Sequence, residues 1–247
     1  MENKIYLPQV DNFLLYLKTQ NYSQETIYNY ERDLKQLETF LNEENILFEK
    51  FDKQQVLQYK AYLISRDRKL PIRGSTAIQK LDPASINRNL SSIRNYLKYL
   101  IDMDWQIPVQ PESIKLVKTD KKHPRVAELD QLIKLIESPQ QLESAELVGL
   151  RNRAMLEVLL STGMRISELM SLNRSQLDGS GRLFIRGKGK KERFVYLTDR
   201  AGHWLNEYLA RRSDTAPAMF VPLRGANAGK SIRRISTNYL QAKIKQY

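Results

Sequence analysis

The sequence predicts a mainly α-helical chain in two parts, with one small antiparallel β-hairpin in the second part. Three observations lead there. Apolar residues recur at three- and four-residue steps through the first hundred positions. Prolines and lysines then break that periodicity between residues 108 and 125. Beyond them, two short runs flank a glycine- and lysine-rich turn near residue 188.

Four helices are expected in the first part. Val10, Phe13, Leu14 and Leu17 form one apolar stripe, and Ile27, Tyr30, Leu34, Leu37 and Leu41 form a second behind a Ser23 N-cap. Asp52 with Gln55 resembles a capping box ahead of Val56, Tyr59 and Leu63. Asp82-Pro83 is an N-cap and N1 pair opening a helix striped by Ile86, Leu90, Ile93, Leu97 and Leu100. Four helices with one apolar stripe each must bury those stripes against one another. The polar face of the fourth carries Asn87, Arg88, Ser91, Arg94, Asn95 and Lys98. That composition suits a helix against a DNA groove, where Arg and Asn reach base edges and Ser and Lys reach phosphates. An ordinary solvated face is the alternative.

Residues 108–125 read as a basic, extended linker, with Pro108, Pro111 and Pro124 bracketing Lys115, Lys118, Lys121 and Lys122. The expected parts are therefore 1–107, the linker 108–125, and 126–247. The second part is expected to hold a helix over 128–137 and a strongly apolar helix over 147–160, stopped at Gly163. A short helix over 165–172 follows, then strands over 182–186 and 193–197, a helix over 200–211, and a last helix from about residue 231.

Charge separates the parts. The 247 residues carry 40 basic and 28 acidic side chains, a formal net of +12. Residues 111–247 hold 25 basic and 14 acidic residues, a net of +11, against +1 for 1–110. A polyanionic partner facing the later elements accounts for that gradient, since each neutralised phosphate releases counterions. No cysteine is present, so disulfides and thiolate metal sites are excluded. The lack of cysteine fits a reducing cytoplasm, and no apolar run reaches the roughly eighteen residues that span a bilayer.

Other chemistries can be set aside. His123 and His203 have no partner at metal-ligand spacing. Residues 225–231 read Gly-Ala-Asn-Ala-Gly-Lys-Ser, but a phosphate-binding loop needs four residues between its first glycine and Gly-Lys-Ser, and here there are three. What remains is arginine, lysine and glutamate. Arg165 follows a glycine break at the start of a short helix, and Glu168 lies on the same helix face, placed to orient the guanidinium. An arginine held this way suits bidentate binding of a phosphodiester. Lys188 sits at the glycine-flanked hairpin tip, where an ammonium could donate a proton to a leaving alkoxide. Either residue alone could equally be a surface ion pair.

Together these segments resemble the tyrosine recombinases, especially Xer-type enzymes and phage integrases. Leu150-Arg151-Asn152-Arg153-Ala154-Met155-Leu156 through Thr162-Gly163-Met164-Arg165-Ile166-Ser167-Glu168-Leu169 resembles their first arginine motif. Arg186-Gly187-Lys188-Gly189-Lys190-Lys191-Glu192-Arg193 resembles their catalytic hairpin. The resemblance implies an N-terminal four-helix SAM-like core-binding domain and a mixed α/β catalytic domain, clamping double-stranded DNA at a recombination core site. The implied reaction is transesterification: a tyrosine attacks the scissile phosphate, leaving a 3′-phosphotyrosyl bond and a free 5′-hydroxyl. No cofactor or metal is implied, because the covalent intermediate conserves the bond energy. By position, Arg165 would stabilise the phosphorane, Lys188 (or, less well, Lys190) would protonate the 5′-oxygen, and Glu168 would support Arg165. Arg88, Arg94, Lys98, Lys121, Lys122, Arg186, Lys190 and Lys191 would hold DNA.

The family pattern continues with His-x-x-Arg, a further His or Trp, and the nucleophilic tyrosine. Neither histidine here is followed by arginine at the third position, and Tyr239 and Tyr247 are expected to be packing residues. The expectation is therefore an incomplete catalytic domain that binds DNA without forming a covalent complex. Further protomers would join on DNA at full length. A natural, non-cutting accessory or competitor protein in the cytoplasmic nucleoid is the alternative. A basic helical scaffold for RNA or acidic protein is a third reading, and it would make both motifs accidental.

Overall fold

The computed structural model describes residues 4–65, 68–69, 78–120, 126–187, 191–223 and 234–247. The chain forms two compact units, Met1–His123 and Pro124–Tyr247.

In the first unit the helices are α1 (Val10–Thr19), α2 (Gln24–Glu43), α3 (Lys53–Ser65) and α4 (Pro83–Asp102). Their starts follow from local chemistry. The Ser23 hydroxyl accepts from the Thr26 N–H at 3.2 Å, and Asp82 accepts from the Ala84 and Ser85 N–H groups with Pro83 behind it. At α3, Asp52 Oδ1 accepts from the Gln54 and Gln55 N–H groups at 2.7 and 3.1 Å. The reciprocal half of the expected capping box is missing, because Gln55 Oε1 is buried without a partner among the described residues. A two-residue antiparallel pair, β1 (Arg68–Lys69) with β2 (Ile78–Gln79), joins α3 to α4 and was not anticipated. Phe13, Leu34, Leu37, Leu41, Tyr59, Leu63, Leu90, Tyr96 and Leu97 fill the core.

The segment read as an extended linker from residue 108 does not begin there. Val109, Pro111 and Ile114 are buried on this unit, with a 3-10 turn at Pro111–Ser113. Asn87 on α4 clasps the stretch that follows, donating to the Val117 carbonyl at 2.9 Å and accepting from its N–H at 2.8 Å. Val109 and Ile114, with Pro111 itself, supply the burial that holds it.

The second unit holds α5 (Leu129–Leu142), α6 (Glu146–Thr162), α7 (Ile166–Ser171), β3 (Arg182–Arg186), β4 (Glu192–Tyr196), α8 (Asp199–Ala210) and α9 (Thr237–Gln246). The central helix α6 is packed by α5 and α8 and buries every residue from 148 to 158. At Gly149 a Cβ would lie 3.0 Å from the Pro139 carbonyl oxygen, so α5 and α6 approach closely only because position 149 has no side chain. Gly163 ends α6 at φ 60°, a left-handed cap, with its N–H donating to the Leu159 carbonyl at 2.9 Å. β3 and β4 pair antiparallel with Leu183 opposite Val195 and Ile185 opposite Arg193. Met219 and Phe220 are buried, with the Met219 N–H donating to the Leu172 carbonyl. The last helix starts at residue 237, capped by Ser236. That is later than expected, because the Ser236 hydroxyl satisfies the Tyr239 N–H and sets the start there.

Candidate active site

Arg165 is the N-cap residue of α7, directly after the Gly163 turn. Its extended backbone lets Glu168, one turn on, reach back: Glu168 Oε2 accepts from the Arg165 backbone N–H at 2.8 Å. Glu168 Oε1 accepts from Arg165 Nη1 at 2.9 Å. The carboxylate is 5% exposed and the arginine side chain 63% exposed. A buried acid thus anchors one edge of a guanidinium whose other donors face outward.

A third residue completes the group. Arg193 on β4 binds the same carboxylate as a fork, Nη1 to Oε1 at 3.1 Å and Nη2 to Oε2 at 2.9 Å. That fork, followed by the two Arg165 bonds and opposed by burial, holds the Glu168 carboxyl down at about 2. Gly187, at the end of β3, closes the arrangement: a Cβ there would stand 2.9 Å from Glu168 Oε1 and 3.0 Å from Arg193 Nη1. The base of the hairpin is therefore pressed onto the Glu168 carboxylate, and the Gly187 N–H donates to the Lys191 carbonyl at 2.7 Å. Sequence reasoning missed Arg193. The available signal was alternation along β4, which puts residue 193 on the inner face with Val195.

The other expected site residues are placed as follows. Lys188 and Lys190 on the hairpin tip, and Lys121 and Lys122 before the second unit, lie outside the described residues. So does the 225–231 loop. Lys191 is exposed, and Arg186 is exposed with its Nε 4.0 Å from Glu192. In the first unit, Arg88 Nη1 is 2.5 Å from Asp33 Oδ2, and Lys98 is 3.7 Å from Glu112. Arg94 is half-buried and has no ion-pair partner among the described residues. Most of the polar face of α4 is thus satisfied within its own unit: Asn95 donates to the Tyr30 hydroxyl, and Ser91 to the Asn87 carbonyl at 2.8 Å.

Tyr239 and Tyr247 have their hydroxyls drawn into a polar cluster under α9. Tyr239 Oη accepts from Asn152 Nδ2 at 3.0 Å and from Arg151. Tyr247 Oη accepts from Asn152 Nδ2 and donates to Glu143 Oε1, both at 2.6 Å. Burial, then the neighbouring Glu143, pushes the Tyr247 phenol well above its ordinary value.

Residues 10–103 match the phage integrase N-terminal SAM-like domain, and residues 125–247 match the phage integrase family. A tyrosine recombinase XerC of Myxococcus xanthus is 36% identical over 183 residues, covering 68% of this chain and 60% of the relative. A XerC of Pelobacter propionicus is 33% identical over 238 residues, covering 93% of this chain and 73% of the relative. The chain thus spans about 60% of the Myxococcus protein's length. Among solved structures, a lambda integrase fragment (residues 75–356), a dimer bound to a COC′ core site, aligns with TM-score 0.69 at 14% identity, over 96% of this chain and 78% of that one. XerH recombinase in a post-cleavage complex with palindromic difH aligns with TM-score 0.66 at 16% identity, over 100% and 72%. At those identities the structures speak to the fold. The sequence matches show the family: the chain belongs to the phage integrase family of tyrosine recombinases.

Proposed function

We propose that this chain holds duplex DNA and binds the reacting phosphodiester of a site-specific strand exchange, with Arg165 as the phosphate-binding residue. The observation that carries this is the pairing of an exposed guanidinium with a buried carboxylate that fixes it, Arg165 on Glu168. Such an arginine meets two non-bridging oxygens with its free donors and stabilises the charge that grows on a pentavalent phosphorus. Lys188, on the hairpin whose base rests against Glu168, is the candidate acid: as an attacking tyrosine oxygen bonds to the phosphorus and the phosphorus–O5′ bond breaks, the lysine ammonium proton passes to the departing O5′. Arg94, Lys191, Lys121, Lys122 and Lys190 supply sequence-independent attraction to the backbone, and Arg88, Lys98 and Arg186 contribute what their internal ion pairs leave free. At full length, further protomers join on the same DNA, and the protein works at the nucleoid in the cytoplasm. No described helix is long and apolar enough to cross a membrane.

A chain that grips DNA without cutting it is the second reading. What favours it is that the Tyr239 and Tyr247 hydroxyls are committed to Arg151, Asn152 and Glu143. Two measurements test the pair of readings. Duplex affinity measured across a salt series should fall linearly with log salt, and Arg165→Ala should weaken it. A nicked substrate that traps phosphotyrosyl adducts should yield none through Tyr239 or Tyr247. An adduct at either tyrosine overturns the second reading, and salt-independent or absent binding overturns both.

A further inference from the structure

The geometry points to Arg193 as a positioning residue that keeps Arg165 open to phosphate by occupying the carboxylate they share. The inference rests on the proposed role of Arg165. Glu168 offers two oxygens to two arginines and one backbone N–H, and the division is unequal. Arg193 takes both oxygens as a fork, whereas the Arg165 side chain holds one oxygen through one Nη. A lone arginine beside a buried carboxylate closes onto it as a bidentate pair, which neutralises the guanidinium and turns its donors inward. With Arg193 in the fork, that closed geometry is taken, and the three groups together carry one net positive charge. Arg165 consequently stays 63% exposed with donors to spare. Gly187 belongs to the same device: the hairpin backbone can press on the carboxylate only because no Cβ stands there. The hairpin thus supplies, through β4, the residue that keeps donors of the arginine on α7 free.

A direct DNA contact by Arg193 is the competing account, and its 41% exposed side chain allows it. The two accounts part in a set of combined variants. If Arg193 acts through Glu168, Arg193→Ala weakens binding of a short DNA duplex by roughly tenfold. Adding Glu168→Gln then restores most of the loss, because the negative charge onto which Arg165 closes is gone. Arg165→Ala with Arg193→Ala is no worse than Arg165→Ala alone, since both act on one contact. Arg193→Gln, which keeps a donor to Glu168 but loses the charge, behaves like Arg193→Ala and serves if the alanine variant melts early. Independent losses that add, no rescue by Glu168→Gln, and a salt slope lower by about one for Arg193 alone would overturn the inference.

A second readout needs no DNA. Exchange of the Arg165 guanidinium protons with water, followed by 15N NMR on the free protein, should slow in Arg193→Ala and recover on adding Glu168→Gln. Unchanged exchange sinks the positioning role. Failure of the wild-type protein to bind duplex sinks the proposed function instead, and the exchange measurement still decides the arrangement around Glu168.

Discussion

Asp33 on α2 and Arg88 on α4 form a 2.5 Å ion pair in which the carboxylate is 1% exposed and the guanidinium 39% exposed. Asp33 Oδ2 also accepts from the Ser92 hydroxyl at 2.7 Å, while Oδ1 has no partner among the described residues. Removing Arg88 leaves a buried charge with a single hydroxyl. Arg88→Ala should therefore destabilise the first unit by about 2 kcal/mol, since the arginine is partly solvated and the full penalty of a buried orphan charge is discounted. Chemical denaturation measures it. Arg88→Ala with unchanged stability would mean that the pair contributes nothing to folding.

Glu168 links stability to acid. Its folded pKa, about 2, lies below that of an ordinary carboxyl. A depressed carboxyl stabilises the folded state fully above its unfolded value, near 4.3, and that contribution disappears as pH falls towards 2. Glu168→Gln should flatten the acid limb of the melting curve between about pH 4.5 and 2. An unaltered limb would show that the arginine fork does not hold the carboxyl down.

Gly163 has φ 60° with nothing within 4 Å of where a Cβ would stand. Its replacement costs backbone strain and no steric clash. Gly163→Ala should cost about 1 kcal/mol, and Gly163→Asn less, because asparagine tolerates the left-handed region better. A much larger loss would mean that the turn before Arg165 is coupled to more than its own dihedral angle.

Glu157 sits buried beneath Arg200, which donates through Nε at 2.8 Å, and Arg153 at 3.4 Å. The Arg153 guanidinium lies 3.8 Å from the centroid of the Trp204 ring. Burial lowers the Arg153 pKa, with Glu157 and Glu137 acting against it. Glu157→Ala removes the buried one of two acids that both arginines share where α6 meets α8, leaving Glu137 at 3.4 Å from Arg153 and 3.1 Å from Arg200, and should cost about 2 kcal/mol in the melting of the second unit. Glu157→Gln should cost less, as it keeps an acceptor.

Much of the architecture was legible because stripes and caps are local. The α2 and α4 registers, the Ser23 and Asp82 caps, the Gly163 stop and the Arg165–Glu168 turn all lie within one or two helical turns of chain. What escaped the sequence depends on residues far apart. The face of α4 was read as a DNA-facing or solvated surface, and within the unit Asn87 answers Val117, Asn95 answers Tyr30, and Arg88 answers Asp33. Polar side chains matched from a distance look identical, in sequence, to polar side chains facing water. Arg193 escaped for the same reason, since its partner lies 25 residues earlier. The buried Arg151 and Asn152 were read only as parts of a motif, and nothing local announces that they bind Tyr239 beneath α9.

The uninterrupted burial of residues 148–158 on α6 also shapes how this protein can drift. A helix with one solvent-facing side accepts change at every third or fourth position, so tolerance along α4 should oscillate with the helical repeat. Along α6 there is no side to spare. Saturation mutagenesis should find a flat band of intolerance there, and accumulated substitutions in the second unit should collect on its outer elements while its central helix stays nearly fixed.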